Sequence, residues 1–303
     1  MVSHAQAIAP TRQIGSVPAI PQITKNTVYA DGVEVFYREA GTKGAPVLLL
    51  LHGFPTSSLQ YSDLMLLLAD KYHVIAPDLP GFGFTQVPAE RDYKYTFDNL
   101  AATIDAFTDT LRLEKFALYV FDYGAPTGFR IAMKNPEKIT AIITQNGNAY
   151  EEGLGDSWAP IKKYWRDPSL ENRNALRGAL TEEGITEQYL NINVPYAERV
   201  KPEHYTLDAA LVARPGNAEI QLDLFLDYRN NVKLYPEFQR YFREKQPKTL
   251  AVWGRFDPWF VPAGANAFTR DIPKAQVKFV DAGHFALETN VIEVAGHVRE
   301  FLG

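Results

Sequence analysis

Three polar residues stand where they could act together as a nucleophile, an acid and a base. Asp122, Asp257 and His284 each come shortly after a short apolar segment, at residues 116–121, 249–253 and 277–280. Ligands of open α/β sheets bind outside the carboxyl ends of the strands, so these side chains can converge although they are distant in the chain. The sequence therefore predicts one active site made by the three.

The residues around Asp122 have the composition of a sharp turn between a strand and a helix. Such a turn is strained and needs small neighbours, which Val120, Gly124 and Ala125 provide. A Gly-x-Ser-x-Gly motif does not occur, and none of the seven serines lies at a matching turn. An aspartate after a strand is more commonly a helix N-cap, but Asp257 and His284 favour a nucleophile.

An aspartate nucleophile suits displacement at a saturated carbon. Its reference pKa of about 3.9 leaves it ionised at neutral pH, so the first attack needs no base. The product is an alkyl ester of Asp122, which a water molecule must then hydrolyse. We expect His284, oriented by Asp257, to be the base for that step. The backbone N–H groups of Phe54 and Tyr123 are the predicted oxyanion hole.

Short apolar strands and amphipathic helices alternate through most of the chain, which predicts a mostly parallel sheet with helices on both faces. The alternation begins with a hairpin turn at Asp31-Gly32. It is interrupted where aromatic residues and helical charge patterns replace the buried strands. We expect an N-terminal arm at 1–25, a core at 26–149 and 247–303, and a helical insertion at 150–246.

Several segments, taken in order, resemble the α/β-hydrolase fold family. They are His52-Gly53-Phe54-Pro55, Asp78-Leu79-Pro80-Gly81-Phe82-Gly83, the turn at Asp122, Asp257 and His284. The resemblance covers about residues 27–303 and is to the branch with an aspartate nucleophile, which contains epoxide hydrolases and haloalkane dehalogenases. It implies the α/β-hydrolase fold, with a mostly parallel central sheet flanked by helices. It also implies that the insertion is a lid and that the enzyme is a cofactor-independent hydrolase.

The family's motifs favour an epoxide over a halide as the reacting group. Haloalkane dehalogenases typically have tryptophan after the nucleophile and many have asparagine in the oxyanion motif, where this chain has Tyr123 and Phe54. Fluoroacetate dehalogenases carry an arginine after the nucleophile, which is also absent. Epoxide hydrolases use two lid tyrosines as proton donors, and Tyr228 resembles the second of these. Tyr164 is the candidate for the first, although Tyr150, Tyr189, Tyr196, Tyr205 and Tyr235 are also available.

Two alternatives to hydrolysis of an epoxide to a diol stay open. In the first, Trp165 or Trp158 donates an indole N–H to a halide and the protein is a dehalogenase. In the second, the protein binds a ligand without turnover. Trp165, Trp158 and Pro55 are the candidate contacts of a small apolar substrate.

Composition excludes several other classes of protein. The 31 Lys and Arg residues against 36 Asp and Glu residues give a formal charge of −5, which argues against nucleic acid as a partner. The chain has no cysteine, its histidines lack metal-ligand spacing, and Gly81-Phe82-Gly83 lacks the third glycine of a dinucleotide loop. We therefore expect no metal and no cofactor.

No signal-peptide core or membrane-spanning run occurs, so we expect a cytoplasmic protein without a membrane partner. The sequence carries no signal for an oligomeric state.

Overall fold

The computed structural model describes residues 21–190 and 195–303. Eight strands form one sheet in the order β1-β2-β4-β3-β5-β6-β7-β8. Strand β2 is antiparallel to both β1 and β4, and the pairs from β4 to β8 are parallel. The strands are β1 (Thr24–Ala30), β2 (Val33–Ala40), β3 (Val47–Leu51), β4 (His73–Pro77), β5 (Phe116–Phe121), β6 (Ile139–Gln145), β7 (Thr249–Gly254) and β8 (Gln276–Val280). The α/β-hydrolase fold expected from the sequence is confirmed.

The helices cover the sheet and fill the insertion. They are α1 (Ser62–Leu68), α2 (Phe97–Thr110), α3 (Gly124–Lys134), α4 (Ala159–Arg166), α5 (Leu170–Ala175), α6 (Glu182–Leu190), α7 (Pro202–Val212), α8 (Asn217–Lys245), α9 (Pro262–Asp271) and α10 (Ala286–Leu302). Helices α4 to α8 all lie between β6 and β7 in the chain. Among the described residues, no helix is both long enough and apolar enough to cross a bilayer.

The centre of the sheet is buried on both faces, as its composition requires. Every residue of β5 is buried, and Leu48, Leu49, Leu50 and Leu51 of β3 are completely so. These two strands pair in parallel with Leu51 opposite Val120. The residues that follow the two strands therefore meet at one edge of the sheet, where the predicted site lies.

One predicted boundary differs in detail from the structure. The predicted arm overlaps β1, which begins at Thr24 because its residues pair with the end of β2. The rest of the predicted arm, residues 1–20, lies outside the described residues.

Candidate active site

Asp122 stands in a strained turn between β5 and α3. Its φ is +46°, in the left-handed region that a side chain rarely occupies. A Cβ at Gly124 would overlap the carbonyl oxygen of Leu51, so only glycine lets α3 begin this close to β3. The turn thus fixes the Asp122 carboxylate at the end of the sheet, as expected of a nucleophile elbow.

The two oxygens of the Asp122 carboxylate have different surroundings. Its Oδ1 accepts a hydrogen bond from the backbone N–H of Phe54 at 2.6 Å. A Cβ at Gly53 would overlap this same oxygen, so the glycine leaves room for the carboxylate. The backbone N–H of Tyr123 also stabilises the charge. Oδ1 is therefore held by the backbone at the predicted oxyanion hole, and Oδ2 does not share the contact with Phe54.

His284 faces the other carboxylate oxygen of Asp122. Its Nε2 lies 3.9 Å from Asp122 Oδ2, and its Nδ1 lies 2.7 Å from Asp257 Oδ2. A carboxylate accepts hydrogen bonds and has none to donate, so Nδ1 carries the proton that is shared with Asp257. In the neutral ring, Nε2 then presents a lone pair to the site. All three side chains are buried. The structure thus brings together Asp122, Asp257 and His284.

Asn146 is a part of the site that the sequence analysis missed. Its Nδ2 donates to Asp257 Oδ2 at 2.7 Å, and its Oδ1 accepts from the backbone N–H of Gly254 at 3.0 Å. The backbone N–H groups of Trp259 and Phe260 donate to the other oxygen of Asp257. Asn146 directly follows β6, and the rule that polar residues after parallel strands gather at one edge could have found it.

The pKa values of Asp122 and His284 are both raised. Burial raises the pKa of Asp122 to about 6, against the opposing effects of His284 and of the backbone N–H groups of Phe54 and Tyr123. Burial lowers the pKa of His284, but the charge and hydrogen bond of Asp257 outweigh it, so the net shift is upward. Asp122 therefore remains ionised at neutral pH despite its burial.

A cavity of about 780 Å³ opens onto Asp122 and His284. The core contributes Phe54, Tyr123, Trp259 and Phe260 to its wall, and the insertion contributes the rest, including Trp158, Phe225, Asp156 and Glu187. Asp156 and Glu187 are exposed. No lysine or arginine of the described residues lines this cavity. The basic side chain in the described part of the wall is therefore His284.

The two predicted tyrosine donors are differently placed. Tyr228 lies behind the cavity wall, with its ring centroid 4.5 Å from that of Trp158 and its hydroxyl 3.3 Å from that of Tyr235. Asn148 contacts the Tyr235 hydroxyl at 3.4 Å. Tyr164 does not line the cavity either, and its hydroxyl accepts a hydrogen bond from Arg173 at 2.9 Å. The structure therefore pairs Tyr228 with Tyr235 and not with Tyr164.

The three predicted substrate contacts differ in whether they line the cavity. Trp158 lines the cavity, but its indole N–H donates to the carbonyl of Trp259 at 3.0 Å. Trp165 and Pro55 do not line it, and the indole N–H of Trp165 donates to the carbonyl of Phe225 at 2.7 Å. Neither indole proposed for a halide is free. A third tryptophan, Trp259, lines the cavity with its ring 5.4 Å from that of His284, and the sequence analysis missed it.

The described residues contain no group of three His, Cys, Asp or Glu side chains placed to hold a metal ion. The polar side chains at the site are instead the aspartate, histidine and aspartate described above, which are groups for nucleophilic and acid-base chemistry.

Residues 46–291 match the family model of the alpha/beta hydrolase fold, so the chain belongs to the α/β-hydrolase fold family. It is 50% identical over 273 residues to an uncharacterized hydrolase of Saccharomyces cerevisiae, YNR064C, covering 88% of this chain and 93% of that one. It is 26% identical over 290 residues to haloalkane dehalogenase 2 of Mycobacterium bovis, covering 89% and 91%. Among solved structures, epoxide hydrolase VrEH1 from Vigna radiata has a TM-score of 0.72 at 23% identity, covering 92% and 97%.

Proposed function

We propose that this protein is a cofactor-independent hydrolase that opens epoxides to vicinal diols through an alkyl ester of Asp122. One observation carries the proposal. Asp122 Oδ1 accepts the Phe54 backbone N–H, while Oδ2 is directed to the side of His284. This arrangement prepares one oxygen for attack and the other for the negative charge that forms when the ester is hydrolysed.

In the first step, Asp122 Oδ2 attacks a ring carbon of the epoxide and the carbon–oxygen bond of the ring breaks. The ring oxygen leaves as an alkoxide and takes a proton. We assign that proton to Tyr228, whose pKa is raised well above its ordinary value by burial, by Tyr235 and by the charge of Asp122. Tyr228 lies behind Tyr123 and Trp158, which line the cavity, so its hydroxyl must leave the 3.3 Å contact with Tyr235 and turn towards the cavity to reach the ring oxygen.

In the second step, His284 Nε2 takes a proton from a water molecule, which attacks the ester carbonyl carbon. Negative charge develops on Asp122 Oδ1, where the Phe54 and Tyr123 N–H groups stabilise it. When the tetrahedral intermediate collapses, the leaving diol oxygen takes the proton from His284. The proton left on the Asp122 carboxyl group returns through water to the Tyr228 phenolate. The overall reaction consumes one epoxide and one water.

The wall of the cavity supports an epoxide rather than a halide. A departing halide needs N–H donors, and the indoles of Trp158 and Trp165 are both bonded to backbone carbonyls. The absence of a lysine or arginine from the described wall also argues against a substrate carboxylate. The substrate we propose is therefore a small, neutral and largely apolar epoxide.

A dehalogenase is the second candidate function, because Trp259 lines the cavity beside His284. Its indole is the group that could hold a halide in this site. Trp259→Phe separates the two functions, since it should abolish halide release and leave diol formation within about threefold of the wild-type rate.

One assay tests the proposal directly. Purified protein is given aryl and alkyl epoxides, matched bromoalkanes and a haloacetate, and diol and free halide are followed together, with Asp122→Asn as the blank. Diol formation without halide is expected. Halide release without diol would assign the protein to the dehalogenases, and silence on every substrate would favour the ligand-binding alternative.

Trapping the intermediate tests the mechanism. His284→Gln should allow the first step and block the second, so the protein should gain the mass of one substrate on Asp122. The double variant Asp122→Asn/His284→Gln is the control and should gain none. An unmodified His284→Gln protein under saturating substrate would contradict the covalent mechanism.

A further inference from the structure

A second cavity, of about 380 Å³, lies on the insertion and shares no lining residue with the active-site cavity. Four cations line it: Lys162 and Arg166 from α4, and Arg229 and Lys233 from α8. The remainder of the lining is Glu151, Leu154, Trp165 and Val232. We call this cavity the basic pocket. It gathers a net charge of +3 in a protein whose formal charge is −5.

The four cations have no carboxylate partner among the described residues. Their contacts are weak, with Arg229 Nη1 3.4 Å from the carbonyl of Trp165 and Lys233 Nζ 3.4 Å from Asn230 Oδ1. Residues 1–20 and 191–194 contain no Asp or Glu that could supply a carboxylate. Two other arginines of the insertion, Arg173 and Arg177, both contact Glu219. Among the described residues, therefore, no ion pair neutralises the four cations of the basic pocket, although Glu151 is part of its lining.

Arg229 gives a second and independent indication of a ligand. Its Nε is shielded from solvent and has no hydrogen-bond partner. A buried donor without an acceptor costs free energy, so native proteins rarely leave one unless an ion or a water satisfies it. An anion in the basic pocket would supply the missing acceptor.

We propose that the basic pocket binds a phosphate monoester dianion. Two guanidinium groups and two ammonium groups suit a dianion with several acceptor oxygens better than they suit a single carboxylate. The apolar side chains of Leu154, Trp165 and Val232 offer a surface for the organic part of the ester. The same chemistry occurs in a free phosphate metabolite and in the headgroup of phosphatidic acid.

The basic pocket adjoins the residues behind the active site. Trp165 lines it, and the Trp165 ring lies parallel to that of Tyr228 with centroids 6.1 Å apart. Trp158, Trp253 and Trp259 do not line the pocket. Binding should therefore change the fluorescence of Trp165 in particular, and Trp165→Phe should remove that signal.

Calorimetric titration with phenyl phosphate at low ionic strength tests the proposal. The informative variant is Arg166→Gln/Lys233→Gln, which removes two exposed cations from the pocket without disturbing a buried residue. The matched control is Lys163→Gln/Lys245→Gln, which removes the same charge from the same two helices outside the pocket. Binding should weaken about tenfold or more in the first variant and little in the control.

Two further arms identify the source of the phosphate. Vesicles of phosphatidylcholine with and without phosphatidic acid are compared with phenyl phosphate in solution. Binding that is confined to phosphatidic acid vesicles and lost in Arg166→Gln/Lys233→Gln would assign the lipid headgroup. An equal loss in the pocket variant and the control, or no binding to either probe, would overturn the proposal. None of these measurements depends on turnover, so they stand apart from the test of epoxide hydrolysis.

Discussion

Asp122 and His284 lie 3.9 Å apart at the buried end of the cavity, and each influences the protonation of the other. A raised pKa means that Asp122 becomes protonated, and loses its nucleophilicity, as the pH falls through about 6. The raised pKa of His284 keeps it protonated, and so inactive as a base, to a higher pH than an ordinary histidine. Both effects remove activity on the acid side.

We therefore predict that kcat/KM rises as the pH increases through about 6, where Asp122 loses its proton, continues to rise while His284 loses its own, and then stays level. No alkaline loss should follow near pH 9, because burial raises the pKa of Tyr228 well above 10 and keeps its proton in place. A pH profile of kcat/KM on one epoxide checks this. The acid limb should be unchanged in Tyr228→Phe, and a wild-type profile that falls above pH 8 would contradict the assignment of the acid.

The two predicted tyrosine donors make a matched pair for mutation. Tyr228→Phe should lower the rate of epoxide opening on the order of 10²-fold, because the alkoxide then lacks its proton donor. Tyr164→Phe should leave that rate nearly unchanged, since the Tyr164 hydroxyl is bonded to Arg173 outside the cavity. Single-turnover kinetics with an aryl epoxide compare the two. Equal losses in both variants would show that the effect is on folding rather than on proton transfer.

The sequence predicted the parts of the site that strand ends determine. Asp122, Asp257 and His284 follow strands of one parallel sheet, so their convergence follows from topology. The partners of Tyr164 and Tyr228 depend instead on how α4, α5 and α8 pack against one another. Periodicity tells which face of a helix is apolar, but not which hydroxyl meets which donor on a neighbouring helix.

The sequence predicts the strands of the core more closely than it predicts the elements of the insertion. The apolar run at residues 116–121 has no alternation and predicts a buried strand, and the structure has β5 at Phe116–Phe121. The insertion was predicted only as helical, because 3-10 turns such as Arg177–Leu180 are too short to show a period. That turn nevertheless contributes Gly178 and Ala179 to the cavity wall.

Gly178 gives a prediction about substrate size. A Cβ built at this residue would meet nothing within 4 Å, so a larger side chain fits without strain and would occupy space at the cavity. Gly178→Leu should lower kcat/KM for a bulky aryl epoxide about tenfold and hardly affect a small alkyl epoxide. Gly296→Leu is the control, because Gly296 has equal room on α10 and does not line the cavity. A uniform loss on both substrates would argue that Gly178 does not limit access.

The insertion and the core line one cavity together and are also joined by polar contacts. Asp227 of α8 accepts a hydrogen bond from the backbone N–H of Phe97, the first residue of α2, at 2.8 Å. Arg130 of α3 donates to Asn231 of α8, also at 2.8 Å. A helix N-terminus of the core is thus capped by a carboxylate of the insertion, immediately before Tyr228 in the chain.

This contact predicts that the insertion and the core unfold together. Asp227→Ala leaves the N–H of Phe97 without its acceptor and should destabilise the fold by about 1 kcal/mol, lowering Tm by about 2 °C. Asp223→Ala is the control, because Asp223 pairs with Arg173 inside the insertion and is exposed, so Tm should change less. Circular dichroism and tryptophan fluorescence should report one coincident transition, since tryptophans lie in both parts. Two separate transitions in the wild type, with Asp227→Ala shifting only one, would show that the contact does not couple the insertion to the core.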